Sequence, residues 1–315
     1  MPLKGLHMKL TFDHWTASRW NISSRWQLRN QLLNSFPEHP LDFNEKVRCR
    51  MAHDRNPKLK EFADKFQMRN KVSELFGPEY LAKVYDASDR PEMIEWDALK
   101  GNYVCKVNHG SGGLIGVWDG VEPEAHLPQA IDGLGWTRWW VRPENFEVQK
   151  CIKMVNYWLK RNYAYRNDAY PEWAYSRIKR KVYVEELLLN SDGTVASPLG
   201  FYIFGGVVKL IRISGRTLDS NRKFSFADRG WEELQISASG LENYDKINPF
   251  PRKPDNFSKM IEMAELLSGQ IDFARVDLYN VDGRIVFSEV TNYPAAGSSL
   301  WLPATFEKQM GEWWV

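Results

Sequence analysis

The stretch ARVDLYNVDGRIVFSEVTNYP, residues 274–294, decides how this chain is read. Two runs rich in β-branched and aromatic residues flank Asp282-Gly283, the pattern of a β-hairpin. Side chains alternate between the faces of a strand, so the register decides which of them meet. A two-residue loop at Asp282-Gly283 pairs position 276 with 289 and throws Asp277 and Glu289 onto opposite faces. A three-residue loop, Asp282-Gly283-Arg284, pairs 277 with 289 and 275 with 291. It gathers Arg275, Asp277, Glu289 and Thr291 on one face, and it is the register expected here.

On that face two carboxylates sit opposite each other, where like charges repel unless a cation lies between them. Magnesium is suited to the place: it takes oxygen ligands and is commonly held by one or two carboxylates together with substrate phosphates. The plainer alternative is a solvated face on which Asp277 and Glu289 pair with lysines. Arg275 tilts the balance, because a guanidinium beside such a pair is suited to bidentate binding of phosphate or carboxylate.

Working outward, a chain of 315 residues can hold two or three lobes with a cleft between them. Its 42 basic and 40 acidic side chains nearly cancel, so no bulk field argues for nucleic acid or an anionic membrane. Cys49, Cys105 and Cys151 are widely spaced without a C-x-x-C pair, which points to reduced thiols and a cytoplasmic protein. No run approaches the roughly 20 apolar residues of a membrane span, and the N-terminus lacks the apolar core of a signal peptide. The 14 tryptophans, several of them between Trp136 and Trp173, are read as packing residues before they are read as stacking platforms for sugars or bases.

Leu59, Phe62, Ala63, Phe66, Val72 and Leu75 recur near helical spacing, predicting one helix over 57–75 that ends at Gly77-Pro78. A strand over 102–107 leads into the glycine loop of CKVNHGSGG (105–113), with a return strand at 116–120; this is a hairpin-like loop, since the P-loop pattern is absent. His109 and Ser111 lack the G-x-S-x-G context and an acidic partner, which argues against a hydrolase. A helical, aromatic stretch is expected to about Arg166, strands at 182–189 and 200–213, and a helix capped by Asn256 and ended near Gly269. Mixed helices and strand groups give an α+β class.

Six motifs in order resemble the TupA-like ATP-grasp family: F-N-E-K at 43–46, D-R-N-P at 54–57, A-D-K at 63–65, K-V-N-H-G-S-G-G at 106–113, V-E-E-L at 184–187 and the hairpin at 274–294. The resemblance runs from about 41 to 311 and implies an ATP-grasp fold, two α+β lobes clamping ATP behind an N-terminal α/β or helical domain. It implies domains at 1–100, 101–190 and 191–315, and an ATP- and Mg²⁺-dependent ligase. Such an enzyme joins a carboxylate to an amine through an acyl phosphate, in cell-surface polysaccharide or secondary-metabolite synthesis. By the same resemblance Lys106 looks like the phosphate lysine, and His109, Gly110, Ser111, Gly112 and Gly113 the flap over the phosphates. Glu185 looks like the adenine-side hinge residue, with Glu186 to Leu188 giving backbone contacts, and Lys65 matches a family lysine. Asp277 and Glu289 resemble the magnesium ligands and Arg275 the arginine that steadies the transferred phosphoryl group. Asn292 competes with Thr291 as a third metal-side ligand.

The chain departs from the family where D-Y-K follows the hinge strand: here Pro198-Leu199-Gly200 removes the lysine. Lys209, Arg212, Arg216 and Arg222 are the candidates to replace it. The rival activities are phosphotransfer to a small molecule or sugar, and non-catalytic binding of a glycan or nucleotide. The oligomeric state and the two substrates are not legible.

Overall fold

The structure, a computed structural model, describes residues 39–165, 171–215, 223–238, 246–269 and 271–315. Helices α1 (Phe43–His53), α2 (Pro57–Ala63) and α3 (Gln67–Phe76) come first, followed by α4 (Val148–Lys160), α5 (Phe257–Leu267) and α6 (Ala304–Trp313). One sheet joins β1 (Val84–Ser88), β2 (Tyr103–Val107), β3 (Leu114–Val117), β4 (Arg138–Val141) and β5 (Val182–Glu186) in the order β1-β5-β2-β3-β4. The other joins β6 (Leu199–Phe204), β7 (Val207–Ser214), β8 (Phe224–Ala227), β9 (Glu233–Leu234), β10 (Phe273–Val281) and β11 (Arg284–Thr291) in the order β11-β10-β6-β7-β8-β9. All pairings are antiparallel except β3 with β4. The class is α+β, as expected.

Each sheet has its own core. Cys151, Met154, Val155 and Trp158 recur at three- and four-residue steps along α4 and bury one face against Cys105, Ile115, Val117, Val182 and Val184 of the five-stranded sheet. The six-stranded sheet is covered by α5 and by the early helices: Phe43 of α1 lies among the rings of Phe204, Phe273 and Trp314, at 5.1 to 6.0 Å. The described part of the expected 1–100 unit packs against both sheets. Residues 1–38 lie outside the described residues, α1 to α3 share the core of the six-stranded sheet, and β1 is an edge strand of the other sheet.

Local expectations change in four places. The helix over 57–75 is two helices broken at 64–66, where the Asp64 carboxylate accepts from the backbone N–H of Phe66 and Gln67, each at 3.1 Å, and so caps the start of α3. Hydrophobic periodicity runs through the break and hides it. The stretch from Trp136, expected to be helical, opens with strand β4, because Trp139, Trp140 and Val141 suit a half-buried strand beside β3; residues 166–170 at its end lie outside the described residues. Asn256 precedes α5 but caps nothing; its amide donates to the Gly283 carbonyl oxygen at 2.8 Å, at the tip of the β10–β11 hairpin. That tip is a two-residue turn, Val281 pairing with Arg284, with Asp282 and Gly283 both at positive φ, 49° and 92°.

Candidate active site

A two-residue turn alone would put Asp277 and Glu289 on opposite faces. Yet Asp277 pairs with Glu289 and Arg275 with Thr291, because the register slips between Asp277 and Leu278 and leaves Ser288 as an extra residue on β11. The expected face is built, by a bulge in place of a longer turn. Arg275 lies in it as a counter-ion. Its Nε and Nη2 donate to Asp277 Oδ1 and Oδ2 at 2.6 and 2.7 Å, and Nη2 also reaches Thr291 Oγ1 at 2.9 Å and Glu289 Oε1 at 3.6 Å.

The β6–β7 hairpin repeats the device. Gly205-Gly206 make its turn, and a slip between Tyr202 and Ile203 leaves Lys209 as the extra residue, so that Gly200 faces Arg212. Directly opposed residues share a face. A row thus crosses five strands, Phe226, Arg212, Gly200, Asp277 and Glu289 in turn. With no side chain at Gly200, Arg212 leans across the gap to Asp277 Oδ2, 3.5 Å away. A Cβ at position 200 would stand 3.1 Å from Asp277 Oδ1 and 3.5 Å from Arg212 Nε. Of the four candidates to replace the family's lysine, Arg212 is the one on this face. Lys209 is exposed, and Arg216 and Arg222 lie outside the described residues.

Lys65 comes from the α2–α3 break. Its Nζ lies 2.7 Å from Glu289 Oε2, while its backbone N–H donates to the Asn108 carbonyl oxygen at the mouth of the glycine loop. The Asn108 amide in turn donates to Asp64 Oδ1 at 2.9 Å and accepts from the Lys181 N–H at 2.8 Å. One residue is thereby tied to both sheets. Burial pushes the Glu289 carboxyl up, but Lys65 and Arg275 outweigh it and hold the group well below the usual carboxylate range. Burial also lowers the Arg275 pKa, which the Asp277 carboxylate more than reverses. Arg212 fares differently: burial and then the neighbouring Arg275 push its pKa down.

On the five-stranded sheet the Lys106 ammonium is bonded to Glu185 Oε1 and lies 5.3 Å from the centre of the Tyr183 ring. Glu185 Oε2 takes Arg69 Nη1 at 3.2 Å. Burial pulls the Lys106 pKa down, and Glu185, Tyr183 and Tyr279 together carry it above its ordinary value. Tyr279 belongs to β10 of the other sheet and feels both Lys106 and Glu289, so the two charged clusters share one neighbourhood. Glu186 adds a direct tie between the sheets, accepting from Arg284 Nη2 at 2.8 Å, and the Leu188 carbonyl oxygen accepts from the Ala196 N–H at 2.9 Å.

The glycine loop is packed down. Of residues 108–113 Ser111 alone is exposed. Gly110 and Gly112 have φ of 86° and 89°, and a Cβ on either would come within 2.2 Å of Tyr163 or the Trp136 carbonyl. His109 is buried with its Nε2 3.3 Å from the Arg161 carbonyl oxygen and its ring edge-on to Trp136. Burial, then Arg180, lowers its pKa to about 4.

The structure thus brings Arg275, Asp277, Glu289 and Lys65 into one cluster and Lys106 and Glu185 into another nearby. Asn292 is turned away from the first: it is buried and its amide donates to the Leu59 carbonyl oxygen at 2.6 Å, while Thr291 faces Arg275. Sequence reasoning passed over Arg69, Tyr279 and Asn108, whose roles depend on distant pairings. Among the described residues no three His, Cys, Asp or Glu side chains form a metal-binding group. The donors on offer are two opposed carboxylates, hard oxygen ligands of the kind and number magnesium takes when phosphates complete its shell. Three cations, Arg275, Arg212 and Lys65, now neutralise that pair with one positive charge to spare. A polyanionic nucleotide would draw off Lys65 and Arg275 and leave the carboxylates to a metal, so the residues fit magnesium.

Two sheets that meet at a charged seam, a glycine loop on one and paired carboxylates on the other, make the ATP-grasp architecture. Within it the chain belongs to the TupA-like ATPgrasp family, whose model matches residues 135–315, more than half of the chain. Solved structures it resembles include the ATP-grasp ligase PsnB with its minimal precursor (10% identity, TM-score 0.37, covering 75% of this chain and 53% of PsnB). D-alanine–D-alanine ligase from Bacillus anthracis is another, at 15% identity and TM-score 0.40, covering 81% and 66%. D-alanyl-alanine synthetase A from Vibrio cholerae O1 biovar eltor is a third, at 10% and 0.40, covering 80% and 63%. The chain spans between about half and two thirds of the length of these proteins. No curated protein matches it.

Proposed function

We propose that the protein is an ATP- and Mg²⁺-dependent ligase that joins a carboxylate to an amine through an acyl phosphate. The observation that carries this reading is the face of the six-stranded sheet on which the Arg275 guanidinium reaches both Asp277 and Glu289 while Lys106 stands across the seam. Asp277 and Glu289 would hold the metal, which when bound offsets charge on the phosphates. The rest falls to the chain's own cations. A carboxylate oxygen attacks the γ-phosphorus and the bond to ADP breaks; Lys106 and Lys65 hold the phosphates in line, and Arg275 holds the acyl phosphate. The amine then attacks the acyl carbon, the bond to phosphate breaks, and the proton lost by the amine leaves with the phosphate. No general base is required of His109, whose low pKa leaves it neutral and structural.

Glu185, the expected adenine-side residue, spends its carboxylate on Lys106 and Arg69 and acts in this reading as the counter-ion that keeps Lys106 charged and placed. Its position at the end of β5 leaves Glu186 to Leu188 as the segment that follows into the hinge. Three free thiols support a cytoplasmic location, and no helix among the described residues is long and apolar enough to cross a membrane. A role in cell-surface polymer or secondary-metabolite synthesis rests on the family resemblance.

The test is an ADP-release assay of carboxylates against an amine panel, with Lys106→Met as the blank and mass spectrometry of the product. An amide with ADP and phosphate is the expected result. A stable phosphorylated acceptor would make the protein a kinase, and tight Mg-ATP binding with no ADP across the panel would make it a binding module.

A further inference from the structure

A cavity of about 150 Å³ opens beside Arg212 and Arg275, the arginines that meet Asp277, and nothing in the reaction scheme yet occupies it. Arg212, Arg275, Phe224, Phe226, Ser237 and Ser299 are among the residues that line it. Arg212 is the unusual member. Among the described residues its buried Nε has no hydrogen-bond partner and its one carboxylate contact is the 3.5 Å approach to Asp277; its guanidinium carbon lies 5.6 Å from the centre of the Phe224 ring. A half-buried guanidinium whose Nε is shut off from water is costly unless an anion meets it. Arg275, fully engaged with Asp277, leaves that need to Arg212. The backbone also shapes the cavity at some cost: Ala295, in its wall, and Ala296 after it both hold left-handed φ, 48° and 50°, where residues with a Cβ are strained.

We propose that this cavity seats the carboxylate substrate, with Arg212 gripping its carboxylate and the aromatic wall taking a group about one six-membered ring in size. The proposal rests on the ligase reading above. Its size limit follows from volume, since an apolar cavity of about this size holds benzene. Its chemistry follows from the walls: a phosphate finds no use for Phe224 and Phe226, and Lys106 stands across the seam, on the sheet that carries the glycine loop. Gly200 belongs to the same design, for its missing side chain lets Arg212 lie over the strand and reach the cavity.

The probes are acetate, benzoate, cyclohexanecarboxylate and 1-naphthoate, titrated calorimetrically into the intact protein holding a non-hydrolysable Mg-ATP analogue. Benzoate and cyclohexanecarboxylate should bind saturably, with acetate and 1-naphthoate weaker. Arg212→Gln should weaken benzoate by about tenfold or more, the scale of a charged hydrogen bond, while nucleotide affinity stays nearly constant. Phe226→Trp should exclude the ring and spare acetate. Arg212→Gln weakening the nucleotide and not benzoate would overturn the proposal by making Arg212 a phosphate ligand, and so would 1-naphthoate binding as well as benzoate. The two readings fail separately. Benzoate binding that depends on Arg212, without ADP release for any amine, sinks the ligase and keeps the site. ADP release with a carboxylate KM that ignores Arg212→Gln keeps the ligase and sinks the site.

Discussion

At the scale of single residues the two charged clusters respond differently to the same kind of substitution. Asp277 neutralises the buried Arg275 and leans on Arg212, so Asp277→Asn leaves an uncompensated buried cation and should cost about 3–5 kcal/mol of stability as well as activity. Lys106→Met is gentler on the fold because Glu185 keeps Arg69 at 3.2 Å, yet it removes a phosphate contact and should lower turnover about 10²- to 10³-fold. Urea midpoints beside ADP-release rates separate the two effects. His109 gives a pH signature. With its folded pKa lowered to about 4 from 6.5, the unfolded chain binds the extra proton first, so stability is full above pH 6.5 and falls as the pH drops toward 4. The loss should reach about 2 kcal/mol by pH 5. Denaturation at pH 7 and 5 checks it, and His109→Gln should flatten that part of the difference.

Among the elements, the bulges at Ser288 and Lys209 do the aligning. Inserting one residue after Ser288 would push Glu289 one step on, opposite Val276 and off the face; the expected outcome is loss of ADP release with the hairpin kept, read by activity beside circular dichroism. Gly283→Ala is the matching control. It strains the turn at φ 92° by about 1 kcal/mol but meets no neighbour, so it should move the melting point and leave turnover alone. The sequence made the hairpin, its facing residues and the glycine loop legible, because β-rich runs, turn residues and parity are local properties. It did not reveal how the register arises, since a bulge has no composition of its own. The break before α3 escaped for a related reason: Asp64 caps a helix through contacts that periodicity does not see. Arg212 was legible as one of four candidates and could be chosen only once the slip at Lys209 set the parity of β7.

For the molecule as a whole, the two sheets have separate cores and are tied to each other by charged contacts. Lys65 bonds one sheet through its backbone and the other through its ammonium, and Arg284 bridges to Glu186. A nucleotide seated at that seam stabilises both sides at once. Mg-ATP at about a hundred times its Kd should add about 2.7 kcal/mol, a rise in melting temperature of about 5 °C. Lys106→Met should blunt the rise, and scanning calorimetry with and without Mg²⁺ measures it. The seam was the least legible part of the chain, because it joins residues 65, 106, 185, 212, 277 and 289, which no local pattern relates. The hairpin at 273–291 has one more consequence, for the order in which the chain folds. Its strands are neighbours in sequence and close over a two-residue turn, so they can pair early, before the rest of the sheet is in place. Paired alone, two facing carboxylates would push the strands apart. Arg275 travels on the same hairpin and bonds Asp277 two residues away, so the repulsion is already quenched when the strands first meet. The residue that would later steady a substrate is thus an escort for its neighbours during folding, and refolding of Arg275→Met should be slowed most at low salt, where unscreened repulsion acts farthest.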